Sequence, residues 1–146
     1  MPRFPNREQA GRELAAQLSK FHDQSPLVMP VLDGGLPTAL PVAQALKAAL
    51  LPVPIRSLHF PWHQETIFGY VTDQGELHLN QPLVGQVRLT QPEVNGIARK
   101  QRLALESDLE SWGVIFPDFL QGQTILVVDD DMHSGWTMFS AIETVR

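Results

Sequence analysis

The segment that most constrains this chain is Thr124–Met138. An apolar run, Thr124 to Val128, ends in Asp129-Asp130-Asp131 and is followed by Ser134-Gly135-Trp136-Thr137. The run has the length and β-branched content of a strand, and the Ser-Gly-x-Thr turn opens a last helix from about Thr137 to Val145. A strand passing directly into a helix belongs in an α/β sheet, where ligands bind beyond the carboxyl ends of the strands. Carboxylates at such an end hold sugar hydroxyls or a divalent cation. The backbone N–H groups, hydroxyls and positive helix end of the turn suit a phosphate. Together they suit a phosphorylated sugar. The plainer reading of a double Asp at a strand end is a solvated helix-capping cluster.

The rest of the chain alternates in the same way. Asn6 and Gln9 form a candidate capping box for a first helix, with Ala10, Leu14, Leu18 and Phe21 at helical spacing and an end near His22. Leu27 to Leu32 reads as a strand running into Asp33-Gly34-Gly35, the strand–glycine–helix order of a βαβ unit. Ala39, Val42, Ala43, Leu46 and Leu50 line the next helix, with Pro41 in its first turn and Pro52 and Pro54 as its stop. Ile55 to Phe60 is then a second strand. Asp73-Gln74-Gly75 between Thr66–Val71 and Glu76–Leu79 signals a hairpin with Gly in the left-handed position. Thr90 and Glu93 form a second capping box, opening a long helix that stops at Gly113. Its stripe of Val94, Ile97, Leu105, Leu109 and Trp112 reads as packing. The expected fold is α/β, a parallel sheet with helices on both faces and an inserted β-hairpin flap. We expect a single domain over residues 1–146, with hairpin and long helix at about 60–113.

Charge and composition exclude several classes. A formal net charge of −5 leaves no basic stripe for sequence-independent nucleic-acid binding. Without cysteine there are no disulfides, thiol nucleophiles or thiolate-held metals. No apolar stretch is long enough to span a bilayer, and Met1–Gln9 lacks the apolar core of a signal peptide, so a cytoplasmic protein is expected. His59 and His63 have metal spacing only on a helix, which Pro61 breaks. Trp62, in the expected flap, reads equally as a base-stacking residue and as a surface contact.

The acidic segment also resembles the 5-phosphoribosyl-1-pyrophosphate (PRPP) loop of type I phosphoribosyltransferases, an apolar strand followed by Asp/Glu-Asp-x-x-x-Thr/Ser-Gly-x-Thr. Asp129, Asp130, Ser134, Gly135 and Thr137 fill its diagnostic places. Arg3-Phe4, Arg7, Ala10-Gly11-Arg12 and Leu14-Ala15 resemble the opening of a bacterial phosphoribosyltransferase-like group. Gly34-Gly35-Leu36-Pro37 with Ala39 is similar to its pyrophosphate loop, and Glu65, Gly69 and Asn80 fall where its hairpin places them.

The resemblance implies transfer of phosphoribose from PRPP to a nucleobase or similar nitrogen nucleophile, with release of pyrophosphate. It implies Asp129 and Asp130 at the ribose hydroxyls and beside Mg²⁺, and His133, Ser134, Gly135, Trp136 and Thr137 around the 5-phosphate. Asp33, Gly34 and Gly35 would lie at the pyrophosphate. The transition state is oxocarbenium-like, so positioning and charge stabilisation dominate. His133 stands at the base-facing position, where an imidazole exchanges protons near neutral pH; the plainer reading, an exposed loop histidine, weighs somewhat more. Trp136 is expected to project outward while its backbone N–H serves phosphate. The resemblance further implies a homodimer, a phosphoribosyl or nucleotide ligand, and a strand and helix beyond the segment ending at Arg146.

Three departures bear on turnover. Asp33 stands where the group has Arg or Lys, Ser57 follows Arg56 where it has Lys, and Asp131 adds a further negative charge. A carboxylate about 4 Å from a pyrophosphate oxygen costs about 4 kcal/mol at an effective dielectric of about 20. These departures favour an alternative, a protein of the same fold that binds a nucleotide or protein partner in a regulatory role. A third reading, an Asp-nucleophile phosphohydrolase using Asp129-x-Asp131, meets His133 where that motif has Thr or Val.

Overall fold

The computed structural model describes residues 3–32, 34–117 and 120–146. The chain divides into two compact units, Met1–Val53 with Phe116–Arg146, and Pro54–Ile115.

The first unit is a parallel sheet flanked by helices. Helix α1 (Arg7–Gln17) starts at Asn6, whose side chain accepts from the Gln9 N–H, and passes into a 3-10 helix, Ser19–Gln24. The helical spacing to Phe21 therefore covers two elements. Strand β1 (Leu27–Pro30) pairs in parallel with β2 (Ala49–Leu50) on one side and β6 (Ile125–Val128) on the other. All four residues of β1 are buried, as a central parallel strand requires. Val28 and Val128 pack with Ala15 of α1 and with Ala39, Val42, Ala43 and Leu46 of α2 (Leu36–Leu46). Each fully buried Val or Leu of this cluster contributes roughly 1.5–3 kcal/mol over its exposed form.

Helix α2 corrects two expectations. It stops at Leu46 because Lys47 adopts the left-handed conformation, φ 51°, before either proline is reached. Leu50 therefore lies on β2. Because α2 begins at Leu36, Pro41 lies beyond the first turn, inside the helix, where its missing N–H removes one intrahelical bond. Gly11 is where α1 meets α2: a Cβ there would lie 2.3 Å from the Thr38 carbonyl oxygen and 3.1 Å from Pro41 Cγ.

The second unit is a three-stranded antiparallel sheet, β3 (Ile55–Phe60), β4 (His63–Thr72) and β5 (Leu77–Leu79), with β4 in the centre. Ile55–Phe60 has the expected bounds, yet its partner is β4; the parallel neighbour of β1 is the short β2. The hairpin turn places Gly75 at φ +88°. Asn80 caps a short helix, α3 (Gln81–Gln86), that no local pattern announced. The Thr90–Glu93 capping box forms in both directions and opens α4 (Gln91–Ser111), which ends before Gly113 at φ +65°. Val94 and Ala98 pack with Leu58, Phe60, Phe68 and Val71. Leu105 and Leu109 are buried too, but Trp112 is 55% exposed and leaves the packing stripe.

Helix α5 (Trp136–Val145) closes the described chain. No helix among the described residues is long and apolar enough to cross a membrane.

Candidate functional site

Parallel pairing of β6 with β1 aligns Val128 with Pro30, so the acidic loop and the twin-glycine turn leave the sheet at the same end. They then meet. A Cβ on Gly34 would lie 2.4 Å from Asp130 Oδ1 and 2.8 Å from Oδ2, and one on Gly35 would lie 2.6 Å from the carbonyl oxygens of both Val128 and Val31. A larger residue at Gly35 requires the backbone to move, and one at Gly34 requires the Asp130 carboxylate to shift. The Val31 N–H donates to Val128 O and the Gly35 N–H to Val31 O, tying the two turns into one platform. Asp33 lies outside the described residues.

The two carboxylates of the acidic pair have different surroundings. Asp130 is 15% exposed and accepts from Arg7 Nε at 2.6 Å, a pair formed between residues 123 apart in the chain. Asp129 is part-buried, and its Oδ1 accepts the backbone N–H of Asp130. Burial, followed by the negative charge of Asp130 and Asp131, outweighs that hydrogen bond and pushes the Asp129 carboxyl up to about 6. Between its ordinary value near 3.8 and about 6, the folded chain holds a proton that the unfolded chain has released. Asp129 therefore makes the fold less stable as pH rises through that window. In a carboxyl titration followed by NMR its midpoint is expected near 6, falling in Asp130→Asn; an ordinary midpoint near 3.8 in the wild-type chain overturns this.

The turn after the acidic loop encloses a pocket of about 50 Å³, lined among others by Asp129, His133, Ser134, Gly135 and Thr137. A single water needs only about 10–15 Å³ by this measure, so the pocket has room for a small anion. Gly135 caps α5 in the left-handed conformation, φ +76°, which turns the chain sharply enough to set the first helical turn over the pocket. First-turn amides have no partner within their own helix. The Trp136 N–H meets Ser134 Oγ at 3.3 Å.

Trp136 corrects a further expectation. Its ring is half-buried and stacks on Phe139 with centroids 5.4 Å apart, and its indole N–H is buried without a partner among the described residues. The ring lies along α5 on Phe139 and is only partly exposed. His133 is 90% exposed, with Nε2 3.2 Å from Asp131 Oδ2.

Two larger spaces also meet the acidic loop, a cavity of about 290 Å³ and an open cleft of about 810 Å³, both bordered by Arg3, Phe4, Ala10 and Asp130. Asp129 and Thr38 line the first; Thr38 Oγ1 is buried with no partner among the described residues. Arg7 lines the second. The first helix and the segment before it are thus part of the site. Their spacing in sequence gave no sign of it beyond the resemblance of Arg3 and Arg7 to a family opening.

No group of three or more His, Asp or Glu among the described residues is arranged to hold a metal. His59 and His63 instead bond Ser57 and Thr66, each at 2.8 Å. Mg²⁺ commonly uses one or two carboxylates and completes its shell with waters and substrate phosphates, and Asp129 and Asp130 fit that mode. Arg56, the basic residue before Ser57, is engaged by Asp108 at 2.5 Å and Gln101 at 3.0 Å. Trp62 is 62% exposed and stacks on Phe60 at 5.3 Å.

Two Mycobacterium tuberculosis proteins, each named "Putative phosphoribosyl transferase", are 30% identical to this chain over 147 aligned positions, covering 100% of it and 33% of themselves. The similarity is to named phosphoribosyl transferases and runs the whole length of this chain. It supports kinship with phosphoribosyltransferase-like proteins. The chain spans about a third of the length of these relatives. The crystal structure of TT1426 from Thermus thermophilus superposes with a TM-score of 0.68 at 29% identity, covering 98% of this chain and 68% of that one. No family model matches the sequence.

Proposed function

We propose that this chain carries the phosphoribosyl site of a PRPP-dependent phosphoribosyltransferase, acting on a nucleobase or similar nitrogen nucleophile. The observation that carries the reading is the meeting of three parts at one sheet end: the acidic pair, the twin-glycine turn, and an anion-sized pocket over the first turn of α5. The relatives' names support the general kind of activity.

In this reading the turn from His133 to Thr137 takes the 5-phosphate, and Asp129 and Asp130 take the ribose hydroxyls. The turn at Gly34 and Gly35 lies beside the leaving pyrophosphate, its glycines making room for Asp130 and for the end of β6. Mg²⁺, bound with the substrate at Asp129 and Asp130, would neutralise charge on the leaving group. The ionised carboxylates stabilise the positive charge that develops at the sugar ring, and His133 exchanges a proton with the incoming base. The protein acts as a homodimer in the cytoplasm, without nucleic-acid or membrane partners.

A second reading is favoured by the Arg7–Asp130 pair, which occupies one carboxylate of the two. A chain held in that state binds a nucleotide in a regulatory role and does not turn over. Calorimetry with PRPP and with a nucleoside 5-monophosphate, each with and without Mg²⁺, separates the two. Enzymatic transfer predicts Mg²⁺-dependent PRPP binding and pyrophosphate release with at least one base. Tight monophosphate binding with no detectable PRPP binding rules it out.

A further inference from the structure

We propose that Arg3 and Arg7 form the subsite for a second anionic group of the ligand, the diphosphate of a phosphoribosyl diphosphate, in the spaces that meet the acidic loop next to the phosphate pocket. The inference rests on the phosphoribosyl reading of that pocket and extends it to residues of the N-terminal segment.

Three observations carry it. First, the cavities are contiguous through the acidic loop: Asp131 borders both the turn pocket and the open cleft, and Asp129 borders both the turn pocket and the smaller cavity. A sugar seated at Asp129 and Asp130 with its phosphate in the turn therefore directs its other end towards the wall formed by Arg3 and Arg7. Second, the two guanidiniums are differently placed for an anion. Arg3 meets no carboxylate among the described residues, and its guanidinium carbon lies 5.3 Å from the centre of the Phe4 ring, which orients the fork while leaving its N–H groups unspent. Arg7 donates through Nε to Asp130, and its two terminal amino groups make no hydrogen bond to the described residues. Third, Glu8, the carboxylate beside Arg7 on the cleft wall, is already engaged, since it accepts from Arg12 at 2.6 Å; Asp131 also borders the cleft and Glu13 the smaller cavity.

Geometry of this kind favours a diphosphate over a single phosphate. Guanidinium forks bind phosphate oxygens in pairs, and two forks on one wall match two linked phosphoryl groups. Arg7 also has a positioning role: by holding Asp130 against Gly34 it fixes the carboxylate that meets the sugar.

The test uses the full chain and the variants Arg3→Gln and Arg7→Gln, both at the surface, with Arg12→Gln as the control on α1. Affinities for ribose 5-phosphate, inorganic pyrophosphate and PRPP are measured with Mg²⁺ present, alongside thermal unfolding. Arg3→Gln is expected to weaken PRPP and pyrophosphate roughly tenfold or more while leaving ribose 5-phosphate within about twofold, the size of one lost charge-assisted contact. Arg7→Gln should weaken pyrophosphate to the same extent and, by releasing Asp130, weaken ribose 5-phosphate as well, with Arg7→Lys restoring part of both. Equal losses for all three ligands in Arg3→Gln, or none, overturn the subsite. If the wild-type chain binds ribose 5-phosphate but neither PRPP nor pyrophosphate, the subsite fails and the pocket reading stands. If it binds none of the three, both fail together.

Discussion

Gly35→Ala is expected to destabilise the first unit by about 3 kcal/mol or more, the upper range for forcing atoms into a packed site. The cost is steric. Gly35 has ordinary helical angles, φ −71° and ψ −22°, so alanine loses nothing in conformation. Its Cβ would lie 2.6 Å from two backbone carbonyl oxygens and 3.1 Å from the Val31 nitrogen. Backbone on both sides leaves no flexible side-chain end to swing away. Relief requires parting the turn after β1 from the end of β6, which is the platform of the candidate site. A loss of this size corresponds to roughly 6–12 °C in melting temperature for a chain of this length. Gly96→Ala is the matched control: it lies within α4, a Cβ there meets nothing within 4 Å, and alanine should stabilise by about 0.5–1 kcal/mol. Denaturant unfolding of the two variants checks both signs. A Gly35→Ala protein within about 1 kcal/mol of wild type shows that the two turns separate freely, and the platform is then not rigid.

Asp130→Asn is expected to weaken a ribose phosphate ligand about 10- to 100-fold while leaving stability within about 1 kcal/mol. The substitution keeps the shape that fits against Gly34 and removes only the charge. Stability changes little because the Arg7 partner is 60% exposed and returns to water at small cost. Affinity changes much because a carboxylate accepting sugar hydroxyls in a part-buried site forms charge-assisted bonds that the neutral amide does not. Calorimetry with ribose 5-phosphate reads the first effect and thermal unfolding the second. Unchanged affinity excludes Asp130 from the sugar, whatever the fate of the phosphate pocket.

The contrast between these variants tracks what local sequence carries. Capping at Thr90 and Glu93 was readable because both hydrogen bonds of the box close within one helical turn. Gly75, Gly113 and Gly135 stand at left-handed positions for the same reason, each at a turn or helix end that its neighbours announce. The acidic loop was readable as a strand end, and β6 stops at Val128 as the apolar run does. Strand pairing was not readable. Ile55–Phe60 is a strand by composition, but the same residues suit a parallel or an antiparallel neighbour, and β4 claims them through a hairpin with shifted register near His59.

Sequence by itself determined the larger elements: the capped helices α1 and α4, the hairpin turn, the end of β6, and that two glycines and two carboxylates follow strands; β2, α3 and the end of α2 were not among them. Those choices depend on torsional preference and on bonds spanning a few residues, so short segments encode them. Tertiary structure alone decided which ends meet. It brought Arg7 to Asp130 across 123 positions, set Gly34 against that carboxylate, raised Asp129 by burying it beside its acidic neighbours, and turned the Trp136 ring onto Phe139. Each of these depends on desolvation and on contacts that close only once the strands and helices have packed.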